Sequence, residues 1–208
     1  MQLTPEMFLI VCPMLFLAGL VDSIGGGGGL ISLPAYLFAG LPVHMAIATN
    51  KLSSACGTSL ATARFIRKGL VNLRLAVPSV AAAVLGASLG AKLSLAISET
   101  VMKYVLFAVL PVAAFFVLNR HLFRDGGKEA VADRRTVTVC LLSALLIGAY
   151  DGFYGPGTGT FLIIAFTVFA RMSVSSANAQ AKVINLTSNV TSLVVFLLNG
   201  QAVISLVK

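Results

Sequence analysis

A motif built from one acid and a run of glycines occurs twice in this chain. Each copy is followed at a similar distance by a lysine set among hydroxyl and amide side chains. Residues 22–34 read DSIGGGGGLISLP and residues 151–164 read DGFYGPGTGTFLII; the second parts are TNKLSSACGTS at 49–59 and QAKVINLTSNV at 180–190. With one residue inserted in the glycine stretch, Asp22 pairs with Asp151, and Gly25, Gly27 and Gly29 pair with Gly155, Gly157 and Gly159. Lys51 then pairs with Lys182, and Gly69 with Gly200. Acids, lysines and glycines at matching places inside apolar segments form the pattern of a membrane transporter made of two related halves.

Composition supports a membrane location independently. Hydrophobic residues make up 58% of the chain and charged residues 11%, with a mean hydropathy of +0.96, whereas a soluble domain carries about 25% charge. Between Arg135 and Lys208 the only charged residues are Asp151, Arg171 and Lys182. A membrane-spanning helix needs about 20 mostly apolar residues, and several such stretches follow one another here. The first, at 7–21, is expected to be retained rather than cleaved: Glu6 precedes it instead of basic residues, and it runs into glycines instead of a cleavage site.

The apolar pattern predicts helices at 7–23, 45–66, 75–97, 102–119, 137–153 and 176–199, with glycine breaks at 25–29 and 155–159. The segments 30–42 and 160–172 are short for a full span and fit half-helices or re-entrant segments. The fold class expected is therefore all-α: a polytopic transmembrane bundle of two inverted-topology repeats with glycine-broken helices. The first repeat is 1–119, a basic loop fills 120–135, and the second repeat is 136–208. The second repeat ends eight residues after Gly200, so repeat logic expects two further helices that it lacks.

A net charge of +8 does not point to nucleic acid, because the cations cluster in short loops. Arg64, Arg67, Lys68 and Arg74 bracket one loop; Arg120, Arg124, Lys128, Arg134 and Arg135 fill another. By the positive-inside rule both loops face the cytoplasm. The loop after the second repeat's last helix, NGQAVIS at 199–205, has no Lys or Arg, while its counterpart around Gly69 has four. That asymmetry places the repeats in opposite orientations.

The segments DSIGGGGGLISLPAYLFAGLPVHMAIATNKLSS, DGFYGPGTGTF and AKVINLTSN resemble the sulfite exporter TauE/SafE family of bacterial membrane transporters. The likeness is closest to a subgroup with an ATNK motif and a DGF-GP motif, and it covers essentially the whole chain. It implies a multi-pass protein of the bacterial inner membrane that moves small sulfur oxyanions or organosulfur anions, such as sulfite, outward.

Candidate site residues follow from the polar groups inside the apolar segments. Lys51 lies beside Asn50, Ser53, Ser54 and Thr58; Lys182 lies beside Asn185, Thr187, Ser188 and Asn189. Two cations with adjacent hydrogen-bonding groups suit a small anionic substrate; the competing reading is that both lysines snorkel to the interface. Gly27, Gly28, Gly29, Gly157 and Gly159 expose backbone N–H groups, and half-helices starting at Leu30 and Thr160 would direct positive ends at an anion. Asp22 and Asp151 are either proton carriers or partners in structural ion pairs with the lysines. Asn178 and Gln180 are secondary polar candidates.

Other chemistries find no support. There is no HExxH, GxSxG or Walker pattern, so no catalytic residue, metal or cofactor is expected. His44 and His121 lack partners at metal spacing, and Cys12, Cys56 and Cys140 are expected to be packing residues. The partners expected are the lipid bilayer and a small anion, without nucleic acid, and a homo-oligomer stays open. An anion channel, or a non-transporting truncated membrane protein, remains the alternative to a transporter, since inverted repeats and broken helices serve channels too.

Overall fold

The structure is a computed structural model that describes residues 5–119, 127 and 129–201. Eight helices are the regular elements among these residues: α1 (Pro5–Gly25), α2 (Gly29–Phe38), α3 (Val43–Arg67), α4 (Leu73–Ala96), α5 (Glu99–Leu118), α6 (Arg134–Phe153), α7 (Thr158–Val168) and α8 (Val174–Leu198). The expected half-helices α2 and α7 are present but shorter than the sequence suggested, at 10 and 11 residues. Each starts a residue or two early, at Gly29 and Thr158, and stops where a left-handed residue turns the chain. Those residues are Gly40 (φ +86°) and Arg171 (φ +56°), a glycine in one repeat and a strained arginine in the other. Arg120, His121, Arg124, Lys128 and the stretch 202–205 lie outside the described residues.

Helices α4, α5, α6 and α8 are each long and apolar enough to cross a membrane. Helix α3 is as long as α8, but its polar Asn50–Thr62 stretch lowers its hydropathy. It is placed against α8, so much of that polar surface meets protein. Large side chains such as Phe16, Leu85, Phe107 and Leu146 point outward, as a lipid-facing surface requires.

The tightest packing joins α4 to α6, and glycine makes it possible. Gly86 and Gly90 of α4 lie against the backbone of Leu145 and Ala149, while Gly148 and Gly152 of α6 lie against Ala83 and Ala87. Two reciprocal small-xxx-small pairs let the backbones touch, which drives helix association where lipid tails are as apolar as the side chains. One apolar core cluster follows, with Leu75, Ala83, Ala144, Leu162, Phe166 and Ile184. A second gathers Leu33, Ile47, Met102, Leu106, Tyr154 and Phe196. Cys140 is buried in the first cluster, but Cys12 and Cys56 are exposed, so the expectation of packing cysteines holds for one of three.

Helix ends are capped by chemistry that apolar periodicity does not reveal. Glu99 at the start of α5 accepts from the backbone N–H groups of Val43 (2.7 Å) and His44 (3.3 Å), closing the N-terminus of α3. His44 bridges Glu99 Oε1 and the Ser94 carbonyl, each at 2.9 Å, which makes it a structural histidine. Asn72, Asp133 and Ser173 cap α4, α6 and α8. Hydrogen bonds from Thr136 hold the Asp133 carboxyl below its ordinary range.

The candidate functional site

The two broken segments lie against each other. A Cβ at Gly26 would come within 2.8 Å of Gly159 Cα, and Thr160 Oγ1 lies 3.3 Å from the Gly26 carbonyl oxygen. Only glycine permits this approach, and Gly26, Gly27, Gly155 and Gly157 also hold left-handed φ angles. The helix starts align Gly28 with Gly157, one residue away from the pairing read in the sequence.

Around this crossing the acids and lysines pair reciprocally. Lys51 of the first repeat meets Asp151 of the second, with Nζ 2.7 Å from Oδ1. Lys182 of the second repeat meets Asp22 of the first, with Nζ 3.2 Å from Oδ2 and 2.9 Å from the Asp22 backbone carbonyl. Neither lysine snorkels: Lys51 is 0% exposed and Lys182 2%. Charges held this deep in a low-dielectric interior require partners, and each is found in the opposite repeat.

The two pairs differ in their surroundings. Asp151 is saturated: Thr158 Oγ1 lies 2.8 Å from Oδ1 and Ser188 Oγ donates to Oδ2 at 2.6 Å, in addition to Lys51. A side chain at Gly155 would strike Lys51 Nζ, so the glycine break itself makes room for the ammonium. Asp22 by contrast has only Lys182 on its carboxylate among the described residues, and its side chain is 26% exposed. It borders a cleft of about 130 Å³ between α1 and α3, lined also by Gly28, Ser32, Ser53, Ser54 and Lys182.

A second, smaller cavity of about 20 Å³ lies between the breaks, room for roughly one water. Asp22, Asp151, Gly27, Gly29, Gly157, Gly159, Asn50, Ser54, Asn185 and Asn189 line it. The sequence-derived candidates therefore sort by position. Most line this polar chamber; Lys182, Gly28 and Ser53 line the adjoining cleft; and Lys51 and Ser188 reach the chamber only through Asp151. The amide of Asn189 donates to Asn185, and Ser32 donates to Asn50, which fixes both amide groups in place. Gln180 is elsewhere, donating to the Asn72 carbonyl at 3.1 Å, and Asn178 does not line either cavity.

Sequence reasoning missed Thr158 and Ser32. Both hydroxyls lie within the repeated motifs, and the signal available was a hydroxyl inside each copy. It also missed Tyr150, whose hydroxyl donates to the Pro156 carbonyl at 2.6 Å and braces the second break. No group of three or more metal-binding side chains is present among the described residues.

A helical bundle with four helices long and apolar enough to cross a membrane, and with paired charges and broken helices at its centre, has the architecture of a multi-pass membrane protein. The comparisons with known proteins agree. The profile of the family described as "Sulfite exporter TauE/SafE" matches residues 11–207, and the chain belongs to that family. It is 40% identical over 187 residues to "Probable membrane transporter protein ORF9" of Sinorhizobium sp, covering 89% of this chain and 70% of the relative. It is 36% identical over 187 residues to a "Probable membrane transporter protein" of Haemophilus influenzae, covering 89% of this chain and 72% of the relative. A third relative, "Probable membrane transporter protein YfcA" of Escherichia coli K12, is 33% identical over 203 residues, covering 97% and 74%. No solved structure matches the chain. The protein is thus a multi-pass inner-membrane protein of a transporter family.

Proposed function

We propose that this protein exports small anions, with sulfur oxyanions and organosulfonates such as sulfite as the substrate class, by alternating access between inverted repeats. One observation carries the reading: two lysine–carboxylate pairs, one sealed and one bordering a cleft, join the two repeats reciprocally around a polar chamber walled by two glycine breaks. A lysine of each repeat held by an acid of the other is what an axis relating residues 1–119 to 136–208 would produce. The family description points to the same substrate class.

The chamber has donors suited to an oxyanion. Asn50, Ser54, Asn185 and Asn189 supply amides and a hydroxyl, and Lys182 supplies charge from the adjoining cleft. Gly27–Gly29 and Gly157–Gly159 lead into the N-termini of α2 and α7, and the positive ends of these helix dipoles favour negative charge. Space for about one water is too little for an oxyanion. Loading therefore requires the repeats to part, which favours a carrier over an open channel.

The test is ligand-dependent melting of the purified protein with sulfite, thiosulfate, methanesulfonate and small carboxylates, followed by flux into liposomes loaded with the responding anion. Stabilisation by sulfur anions with saturable, accumulating exchange is the expected result. Equal response to carboxylates, or non-saturating flux, would replace the reading with a broader carrier or a channel.

A further inference from the structure

We propose that Asp22 is the proton carrier of this protein. An anion entering the α1–α3 cleft displaces its carboxylate from Lys182, and the released carboxylate binds one proton from water. The proposal rests on the anion reading above and names the coupling ion for the same site.

Geometry separates Asp22 from Asp151. Asp22 is the acid that borders both the α1–α3 cleft and the chamber between the glycine breaks, so a proton reaching it from the cleft arrives at the chamber wall. Its carboxylate is held by one ammonium at 3.2 Å, whereas Asp151 has Lys51 at 2.7 Å and two hydroxyls. Losing one contact is far less costly than losing three. Lys182 is prepared for the exchange: its bond to the Asp22 backbone carbonyl at 2.9 Å holds the ammonium in place when the carboxylate leaves.

Charge balance supplies the coupling. The Lys182–Asp22 pair is neutral, so an incoming monovalent anion would leave one uncompensated negative charge inside the membrane protein, which is expensive. One proton on Asp22 removes it, leaving Lys182 ammonium paired with the anion and a neutral carboxylic acid. The O–H bond formed on binding breaks on release, when the proton returns to water and Asp22 pairs again with Lys182. Among the described residues no other charged group is placed to substitute. Lys182 from α8 is the one cation lining the cleft among the described residues, and Asp151 across the chamber is neutralised by Lys51. The His44–Glu99 pair borders neither cavity.

The experiment is isothermal titration of the purified protein with methanesulfonate and with thiosulfate, anions that stay ionised near neutral pH. Running each in two buffers of different ionisation enthalpy counts the protons exchanged. For methanesulfonate the parent is expected to take up about one proton per anion, with affinity falling by up to about tenfold per pH unit as pH rises. Asp22→Asn is expected to bind without proton uptake and without that pH dependence, while Asp22→Ser serves as a second variant with the same expectation. Binding by the parent with no proton uptake overturns the coupling and leaves the anion reading intact. Uptake that persists in a variant at position 22 overturns the assignment to Asp22. Failure to bind either anion overturns the anion reading, and this proposal with it.

Discussion

The two ion pairs are built from matching sequence positions, yet one is sealed and the other is open. Lys51 and Asp151 have side-chain exposures of 0% and 2%; Lys182 and Asp22 have 3% and 26%. The difference comes from what lies over them. Asp151 is enclosed by Lys51 of α3, Thr158 of α7 and Ser188 of α8, and α4 packs tightly along α6, which carries it. On the Asp22 side a cleft separates α1 from α3, and Gly19 and Gly57 face open space there. A repeated motif supplies the charges at matching places, while the groups packed around each pair decide whether it is enclosed or faces a cavity.

Breaking the sealed pair is expected to have the largest effect. Lys51→Ala or Asp151→Ala leaves a buried charge without its partner, a loss of about 3–5 kcal/mol, read as a large drop in detergent melting temperature. Lys182→Ala is expected to cost clearly less, because water in the cleft can solvate Asp22. Equal losses at the two lysines would remove the distinction between latch and gate.

The α4–α6 contact can be tested next. Gly152→Ala puts a methyl group into the Ala87 backbone and Gly90→Ala puts one into that of Ala149, with an expected cost of about 1–3 kcal/mol. Gly19→Ala and Gly57→Ala place theirs in open space and are expected to be neutral to slightly stabilising, since alanine favours helix by about 1 kcal/mol over glycine. Melting temperatures of the four variants decide it. If Gly19→Ala costs as much as Gly152→Ala, the α1–α3 side is as closely packed as the α4–α6 side.

The smallest effect concerns the turns after the half-helices. Gly40 and Arg171 both take left-handed backbone angles, and only the arginine is strained by it. Arg171→Gly is expected to raise stability by about 1 kcal/mol, while Gly40→Ala lowers it by a similar amount. A destabilised Arg171→Gly variant would mean that the arginine side chain contributes more than its backbone costs.

Much of this arrangement was legible in the sequence because rare residues in an apolar background are informative. Asp22, Asp151, Lys51 and Lys182 stood out as charges with few neighbours, and the glycine runs marked the breaks at 25–29 and 155–159. Which acid pairs with which lysine was not legible, because a reciprocal pairing depends on how the repeats dock. The α4–α6 interface was missed because Gly86, Gly90, Gly148 and Gly152 sit in segments apolar on every face, where no periodic contrast marks a buried stripe. Glu99 was missed for a different reason: it caps a helix 55 residues away in sequence.

In the proposed mechanism the open pair meets the anion while the sealed pair holds the repeats together. The most direct test is the anion-induced shift in melting temperature of Lys182→Gln compared with Lys51→Gln, using the anion that stabilises the parent most. Lys182→Gln is expected to keep most of the parent's basal stability and to lose the anion shift. Lys51→Gln is predicted to melt much lower yet to retain a shift where it remains folded. A full anion shift in Lys182→Gln would mean that the anion does not meet the open pair.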